Sequence, residues 1–305
     1  MDADGMHGKV VIVTGAGRGL GRAEALELAR LGVHLVVNDV GRTLHGEDED
    51  NPVDALIDEI VAAGGKAIAH RGDVADWDDS RALVELAVEE FGRLDILVNN
   101  AGFLRDRMLF NMTEEEFDQV VRVHLKGHFC TMRHAAAQWR AQSKAAGEPV
   151  YGRIVNTTSE AGLLGSPGQP NYSAAKGGII QLTLAAAQSL GRFGVTANAI
   201  APRALTRMTE SLPGFDASEG DFDVFAPENV SPLVAYLASP AAARVTGQVF
   251  IVYGRTIDVL AGPSVDRRFE ADDRWTPERV DHALTPFYEQ RRPLRDGFVL
   301  QGTRG

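Results

Sequence analysis

The sequence lacks most of what marks an exported, membrane-bound or nucleic-acid-binding chain. Its 305 residues include a single cysteine, Cys130, so no disulfide can form within the chain. No apolar run approaches the roughly 18 residues a membrane span needs. The opening MDADGMHGKVVIVTG enters a strand-like run with no charged n-region or cleavage site, which makes a cytoplasmic location the expectation. Basic residues are outnumbered 31 to 42, and the resulting net charge of −11 argues against a nucleic-acid partner. The eight histidines form no His/Cys cluster of ligand spacing, so no metal is expected. What the chain does have is a 44% apolar share, enough for a large core and too much for disorder. A small-molecule partner is the expectation.

Short β-branched runs alternate with longer helical patterns. Lys9–Thr14, Val33–Asp39, Lys66–Arg71, Ile96–Asn99, Arg153–Thr158, Thr196–Ile200 and Gln248–Val252 read as strands too evenly apolar to be half exposed. Arg22–Leu31, Pro52–Ala63, Trp77–Phe91, Glu114–Trp139, Ala174–Gly191 and Glu228–Leu237 have helical spacing. The pattern predicts an α/β fold: a single Rossmann-type doubly wound parallel sheet, helices on both faces, ligands beyond the strands' carboxyl ends, and a C-terminal extension. Residues 1–261 would form the nucleotide-binding and catalytic domain. Residues 262–305 would pack on it or on a partner subunit, with a helix starting at Thr276-Pro277-Glu278. Gly41–Asn51 is a polar, acidic insertion, and Arg203–Ala226 reads as a segment lying over a site.

The first strand meets its helix through Thr14-Gly15-Ala-Gly17-Arg18-Gly19-Leu20-Gly21. Glycines permit tight turning and close backbone approach, and a helix N-terminus offers N–H groups to a diphosphate. In this position the loop predicts dinucleotide binding. Asp39, 24 residues after Gly15, can accept hydrogen bonds from an adenosine ribose and would repel a 2′-phosphate, favouring NAD. Arg18 pulls towards NADP, because a base there could pair with that phosphate.

Ser159, Tyr172 and Lys176 carry the chemistry. Tyr172 and Lys176 stand at i and i+4, hence on one helix face. A phenol of reference pKa about 10 is too weakly acidic to act as a base near neutrality. A nearby ammonium and an oxidised nicotinamide ring would both favour phenolate, letting Tyr172 take an alcohol proton as hydride leaves. Ser159 could hydrogen-bond the same oxygen.

Taken together, these motifs resemble the short-chain dehydrogenase/reductase family over roughly residues 8–260. The match adds Asp73-Val74 after the third strand and Asn99-Asn100-Ala101-Gly102 after the fourth. The resemblance implies that Asp73 and Val74 border the adenine. It also implies that Asn99, Ala101 and Gly102 line the cofactor channel, that Lys176 grips the nicotinamide ribose, and that Pro202 and Thr206 lie at the carboxamide. It implies a homodimer or homotetramer, built on the Glu114–Trp139 and Ala174–Gly191 helices. Asn38-Asp39-Val40-Gly41 with its insertion, Arg122-Val123-His124-Leu125-Lys126-Gly127 and Gly168-Gln169-Pro170-Asn171-Tyr172 are similar to a narrower group. That group is the (3R)-hydroxyacyl-CoA dehydrogenase region of the peroxisomal multifunctional enzyme and its free-standing bacterial relatives. It implies NAD and a lipid or acyl-CoA alcohol in β-oxidation; a steroid or other bulky hydroxy-lipid is the alternative, and a non-catalytic nucleotide-binding regulator a further one.

Some positions depart from the family. His124 stands where an Asn usually supports a water near the active-site lysine, and either that role or a buried structural one is open. Pro202-Arg203 replaces Pro-Gly, Arg207 stands where a Thr often contacts the carboxamide, and Val252-Tyr253-Gly254-Arg255 replaces Asp-Gly-Gly. Arg105, Arg107, Arg203 and Arg207 could hold the phosphates of coenzyme A, or make ordinary surface ion pairs.

Overall fold

A computed structural model describes residues 5–41, 52–206, 218–219 and 222–291. The chain divides into two compact units, Met1–Leu260 and Ala261–Gly305. In the first unit the strands are β1 (Val10–Thr14), β2 (His34–Asn38), β3 (Lys66–His70), β4 (Ile96–Asn99), β5 (Gly152–Thr157) and β6 (Val195–Pro202). A detached pair, β7 (Ser218–Glu219) and β8 (Phe222–Asp223), precedes β9 (Val249–Tyr253) and β10 (Thr256–Val259). The main sheet has the order β10-β9-β6-β5-β4-β1-β2-β3, so strand order reverses between β1 and β4. Doubly wound sheets form their ligand crevice at such a switch point, outside the strands' carboxyl ends.

The helices are α1 (Gly19–Arg30), α2 (Val53–Ala62), α3 (Trp77–Phe91), α4 (Glu114–Val121), α5 (Gly127–Ala146), α6 (Glu160–Leu164), α7 (Pro170–Leu190) and α8 (Ser231–Ala238). Because side chains alternate along a strand, each strand feeds two cores. Val11 and Val13 pack with Leu28 of α1, Leu56 of α2 and Leu233 of α8. Val10 and Ile12 pack on the other face with Leu83 of α3, Trp139 of α5 and Ala186 of α7. The second unit contains α9 (Pro277–Glu289), capped by Thr276, and just beyond it Arg291 pairs with Asp266.

The architecture is the expected doubly wound one, with local differences. The sheet is not wholly parallel: β10 returns antiparallel to β9 through the two-residue turn Gly254–Arg255, with Gly254 at φ +50°. The expected Glu114–Trp139 helix is interrupted by a π-helical turn over Arg122–Lys126. Helix α7 starts at Pro170 rather than Ala174, which puts Tyr172 in its first turn. Residues 42–51 of the acidic insertion, Arg207, most of the segment before Phe222, and Arg292 and Arg295 lie outside the described residues.

Candidate active site

The crevice begins at the glycine loop. Gly15 has φ +62°, and a Cβ there would stand 2.7 Å from Ala101 Cα, so the loop lies directly on the turn after β4. Asn100 holds the two together: its side chain donates to Thr14 O and Gly15 O (3.3 and 3.1 Å), while Thr14 Oγ1 accepts from the amides of Asn100 and Ala101 (3.0 and 3.2 Å). A Cβ on Gly19 would stand 3.3 Å from Thr206 Cγ2, so Thr206 reaches the phosphate loop. Leu20 turns away and packs against the core. The first turn of α1 holds no acidic side chain, which suits an anion.

Asp39 faces this loop. Its Oδ2 accepts from Gly17 N at 3.1 Å and its Oδ1 from Gly41 N at 3.0 Å, so the carboxylate is fixed against the glycines. A Cβ on Gly17 would come within 2.9 Å of that Oδ2. Asp73 Oδ1 accepts from Ala75 N at 2.8 Å, and Oδ2 pairs with Arg122 at 2.7 Å. Val74 is buried. The Asn99 side chain is turned inward: it accepts from Thr131 Oγ1 at 2.7 Å and donates to Asn156 Oδ1 at 3.0 Å. Asn99 therefore offers the crevice its backbone. A glycine-lined cradle closed by an oriented carboxylate fits a nicotinamide dinucleotide.

Across the crevice, Ser159 caps α6, its Oγ accepting from Ala161 N at 3.2 Å, and its hydroxyl favours ionisation of the neighbouring Tyr172 phenol. Lys176 is buried, donates to Thr157 O at 2.6 Å, and holds its Nζ 5.4 Å from the centre of the Tyr172 ring. Asn171, which the sequence offers as part of the Gly168–Tyr172 motif without a role of its own, anchors this corner. Fully buried, it donates to Arg105 O and Glu116 O at 3.0 Å each and accepts from Tyr172 N at 2.7 Å. Its sequence signal is its place in the motif that ends at Tyr172.

The electrostatics differ from the sequence expectation. Burial pushes the Tyr172 phenol up to about 12, against the hydrogen bond from Ser159, and Asp106 adds to the rise. Burial also brings Lys176 down to about 7. In the protein alone the ammonium does not acidify the phenol, because desolvation penalises both charged forms.

His124 joins the site edge-on to Tyr172, with ring centres 5.2 Å apart. Burial and the Lys176 charge hold it neutral, well below the usual histidine range. Its Nε2 lies 2.8 Å from Phe103 O and 3.1 Å from Phe103 N, and Nδ1 has no hydrogen-bond partner among the described residues. Gly102 makes room for this ring, since a Cβ there would fall 2.0 Å from His124 Cε1. One turn further along the helix, the buried His128, unforeseen from sequence, is pushed down to about 3 by desolvation and by Lys176.

A family model described as short chain dehydrogenase matches residues 9–215. The chain belongs to the short-chain dehydrogenase/reductase family. It is thus an oxidoreductase of a family that works with a nicotinamide cofactor, NAD(H) or NADP(H). Hydroxyacyl-CoA dehydrogenase ChsB1 of Mycobacterium tuberculosis is 51% identical over 296 residues, covering 94% of this chain and 91% of that one. A peroxisomal hydratase-dehydrogenase-epimerase of Neurospora crassa is 41% identical over 275 residues; the match spans 90% of this dehydrogenase but only 29% of that larger enzyme. The crystal structure of a short chain dehydrogenase from Mycobacterium avium superposes with a TM-score of 0.84 at 50% identity, covering 98% of this chain and all of that one. Among the described residues, no helix is long and apolar enough to cross a membrane.

Proposed function

We propose that this dehydrogenase oxidises a (3R)-3-hydroxyacyl-CoA to the 3-oxoacyl-CoA with NAD as acceptor. The observation that carries the reading is Tyr172 beside Ser159, whose hydroxyl favours its ionisation, with the Lys176 Nζ 5.4 Å from the centre of the same ring, on the crevice that holds Asp39. The substrate class follows the hydroxyacyl-CoA dehydrogenase and the hydratase-dehydrogenase-epimerase that match the chain over nine-tenths of its length. The cofactor supplies the hydride acceptor and, when oxidised, a positive charge that favours phenolate. The chain's own residues do the rest. Ser159 orients the alcohol oxygen, Tyr172 takes its proton, and Lys176, held by Thr157 O, steadies the negative phenol oxygen. Neutral His124 orders the space behind Tyr172. Asp39 lies where a 2′-phosphate would meet like charge.

Mixing the protein with NAD and separate (3R) and (3S) thioesters, and following reduced nicotinamide, tests the reading. Turnover of the (3R) ester with NAD is the expected result. Dissociation constants for both cofactors, measured on the native protein and Asp39→Ala, test the second half: NAD should bind more tightly, and the variant should lose much of that preference.

A specific observation favours a second substrate, a free steroid or other bulky hydroxy-lipid. Arg107 pairs with Glu116 at 2.8 Å and Arg203 with Glu160, so two of the four arginines expected at a coenzyme A are engaged by carboxylates. Leu109 and Phe110, 76% and 79% exposed, sit on the segment that Arg107 N ties to Gly168 O at 2.7 Å, and could receive a bulky apolar body. Equal kcat/KM on a free sterol and a CoA ester would promote this alternative. The enzyme is proposed to assemble as a homodimer or homotetramer.

A further inference from the structure

Two departures from the family pattern, Arg203 and Tyr253, meet in one place. Arg203 leaves the end of β6 and grips Glu160 with both arms, Nε to Oε2 at 2.5 Å and Nη2 to Oε1 at 2.7 Å. Its guanidinium lies 4.5 Å from the centre of the Tyr253 ring, at the end of β9, and its backbone N–H donates to Val252 O at 3.0 Å. Both charged side chains are largely shielded, 29% and 25% exposed, so the pair is drier than an ordinary surface bridge. Two-pronged geometry fixes direction as well as distance.

Glu160 is the first residue of α6, and Ser159 is that helix's N-cap. A helix of five residues is too short to hold itself together in water, so its tertiary contacts must set its position. On one side it lies hard against α7: a Cβ on Gly162 would fall 2.6 Å from both Lys176 C and Gly177 N. Beside it, Thr158 Oγ1 donates to Lys176 O at 2.8 Å. The grip of Arg203 on Glu160 ties the start of the helix to β6 and β9.

We propose that Arg203 and Glu160 are positioning residues: their two-pronged bond, backed by Tyr253, seats α6 so that Ser159 keeps its hydroxyl on the Tyr172 phenol. The inference rests on the Ser159–Tyr172–Lys176 reading of the site but on no particular substrate. It also assigns Arg203 to the protein's own carboxylate rather than to a substrate phosphate.

The test combines kinetics with hydrogen exchange on the full chain. Glu160→Ala and Arg203→Ala should each lower kcat about tenfold on whichever secondary alcohol the native enzyme oxidises, with KM within about twofold. The double variant should be no worse than either single one, because both remove the same bond. The swapped pair Glu160→Arg with Arg203→Glu should recover most of the loss. In the cofactor-free protein, amides of residues 159–165 should exchange faster in both single variants, while those in the last turns of α7 keep their native rate. Additive losses or unchanged exchange would overturn the proposal. So would a KM for CoA esters that rises in Arg203→Ala and stays level or falls in Glu160→Ala, since that pattern belongs to an arginine serving the substrate. If no alcohol is oxidised, the functional reading fails, and the exchange measurement still decides the positioning role.

Discussion

Tyr172 and Lys176 meet the cofactor as groups whose charged forms are both disfavoured, the phenol pushed up to about 12 and the lysine down to about 7 by burial. The hydrogen bond from Ser159 works in the opposite direction, favouring phenolate. A base must be deprotonated to act, so kcat/KM for alcohol oxidation should rise with pH. Removing a bond that lowers the phenol's pKa should shift that rise to higher pH. Ser159→Ala is therefore expected to move the acid limb of the profile upward as well as lower its plateau; an unmoved limb would show that Ser159 does not act on Tyr172. A second prediction concerns Glu24 of α1. It is fully buried, both its oxygens lack a hydrogen-bond partner among the described residues, and desolvation alone raises it from about 4.5 to about 8. A carboxyl whose folded pKa is raised contributes stability below its unfolded pKa, and that contribution is lost as pH rises towards the folded value. The ceiling on the loss is about 1.4 kcal/mol per pH unit. Glu24→Met should thus gain thermal stability relative to the native protein as pH climbs from about 4.5 to about 8, and a pH-independent difference in Tm would contradict it. Ser159, Tyr172, Lys176 and Asp39 were legible because their chemistry dictates residue type and spacing. Asn171 and Glu160 were not, because each acts through partners 66 and 43 residues away in the chain.

At the scale of elements, the site depends on how the N-terminus of α7 is seated. Asn171 bridges two carbonyls from the segment after β4 and from α4, so Asn171→Ala would take a part-buried donor away from Arg105 O and from Glu116 O, and leave the tie between the two segments unmade. Each lost partner costs about 1–3 kcal/mol. The variant should unfold several degrees lower and lose kcat more than cofactor affinity, because the phosphate loop lies on another wall of the crevice. Calorimetry with cofactor titration checks both, and an unchanged kcat would disprove the seating role. Seven strands and most helices could be read from apolar periodicity, since buried parallel strands are evenly apolar. The π-helical turn at Arg122–Lys126 could not, because one extra residue in a turn leaves the apolar pattern on both sides intact. Helix α6 is too short to show a period. β10 hides because Ile257 and Val259 face outward on an edge strand, 55% and 62% exposed, and pack on nothing that a core pattern would reveal.

For the whole molecule, subunit pairing through α4, α5 and α7 is expected, though not through every small residue the sequence suggested. Ala135 and Ala186 are consumed by the chain's own core, whereas Ala137 and Ala185 are exposed. Phe117 and Phe129 remain 40% and 45% exposed on α4 and α5, an apolar cost that a partner subunit would relieve. Light scattering at micromolar concentration should report a dimer or tetramer, and Phe129→Arg should shift it towards monomer; a native monomer would refute the expectation. One crevice is proposed to join a nicotinamide cofactor to proton abstraction by Tyr172, and the whole mechanism depends on that union. It is tested most directly by comparing the formation of reduced nicotinamide from NAD and a (3R)-3-hydroxyacyl-CoA by the native protein and by Tyr172→Phe. Turnover by the native enzyme is expected, with a fall of at least about a hundredfold in kcat/KM in the variant, roughly 2.7 kcal/mol of lost transition-state stabilisation, and NAD still bound. Retention of more than about a tenth of native kcat/KM by Tyr172→Phe would contradict it.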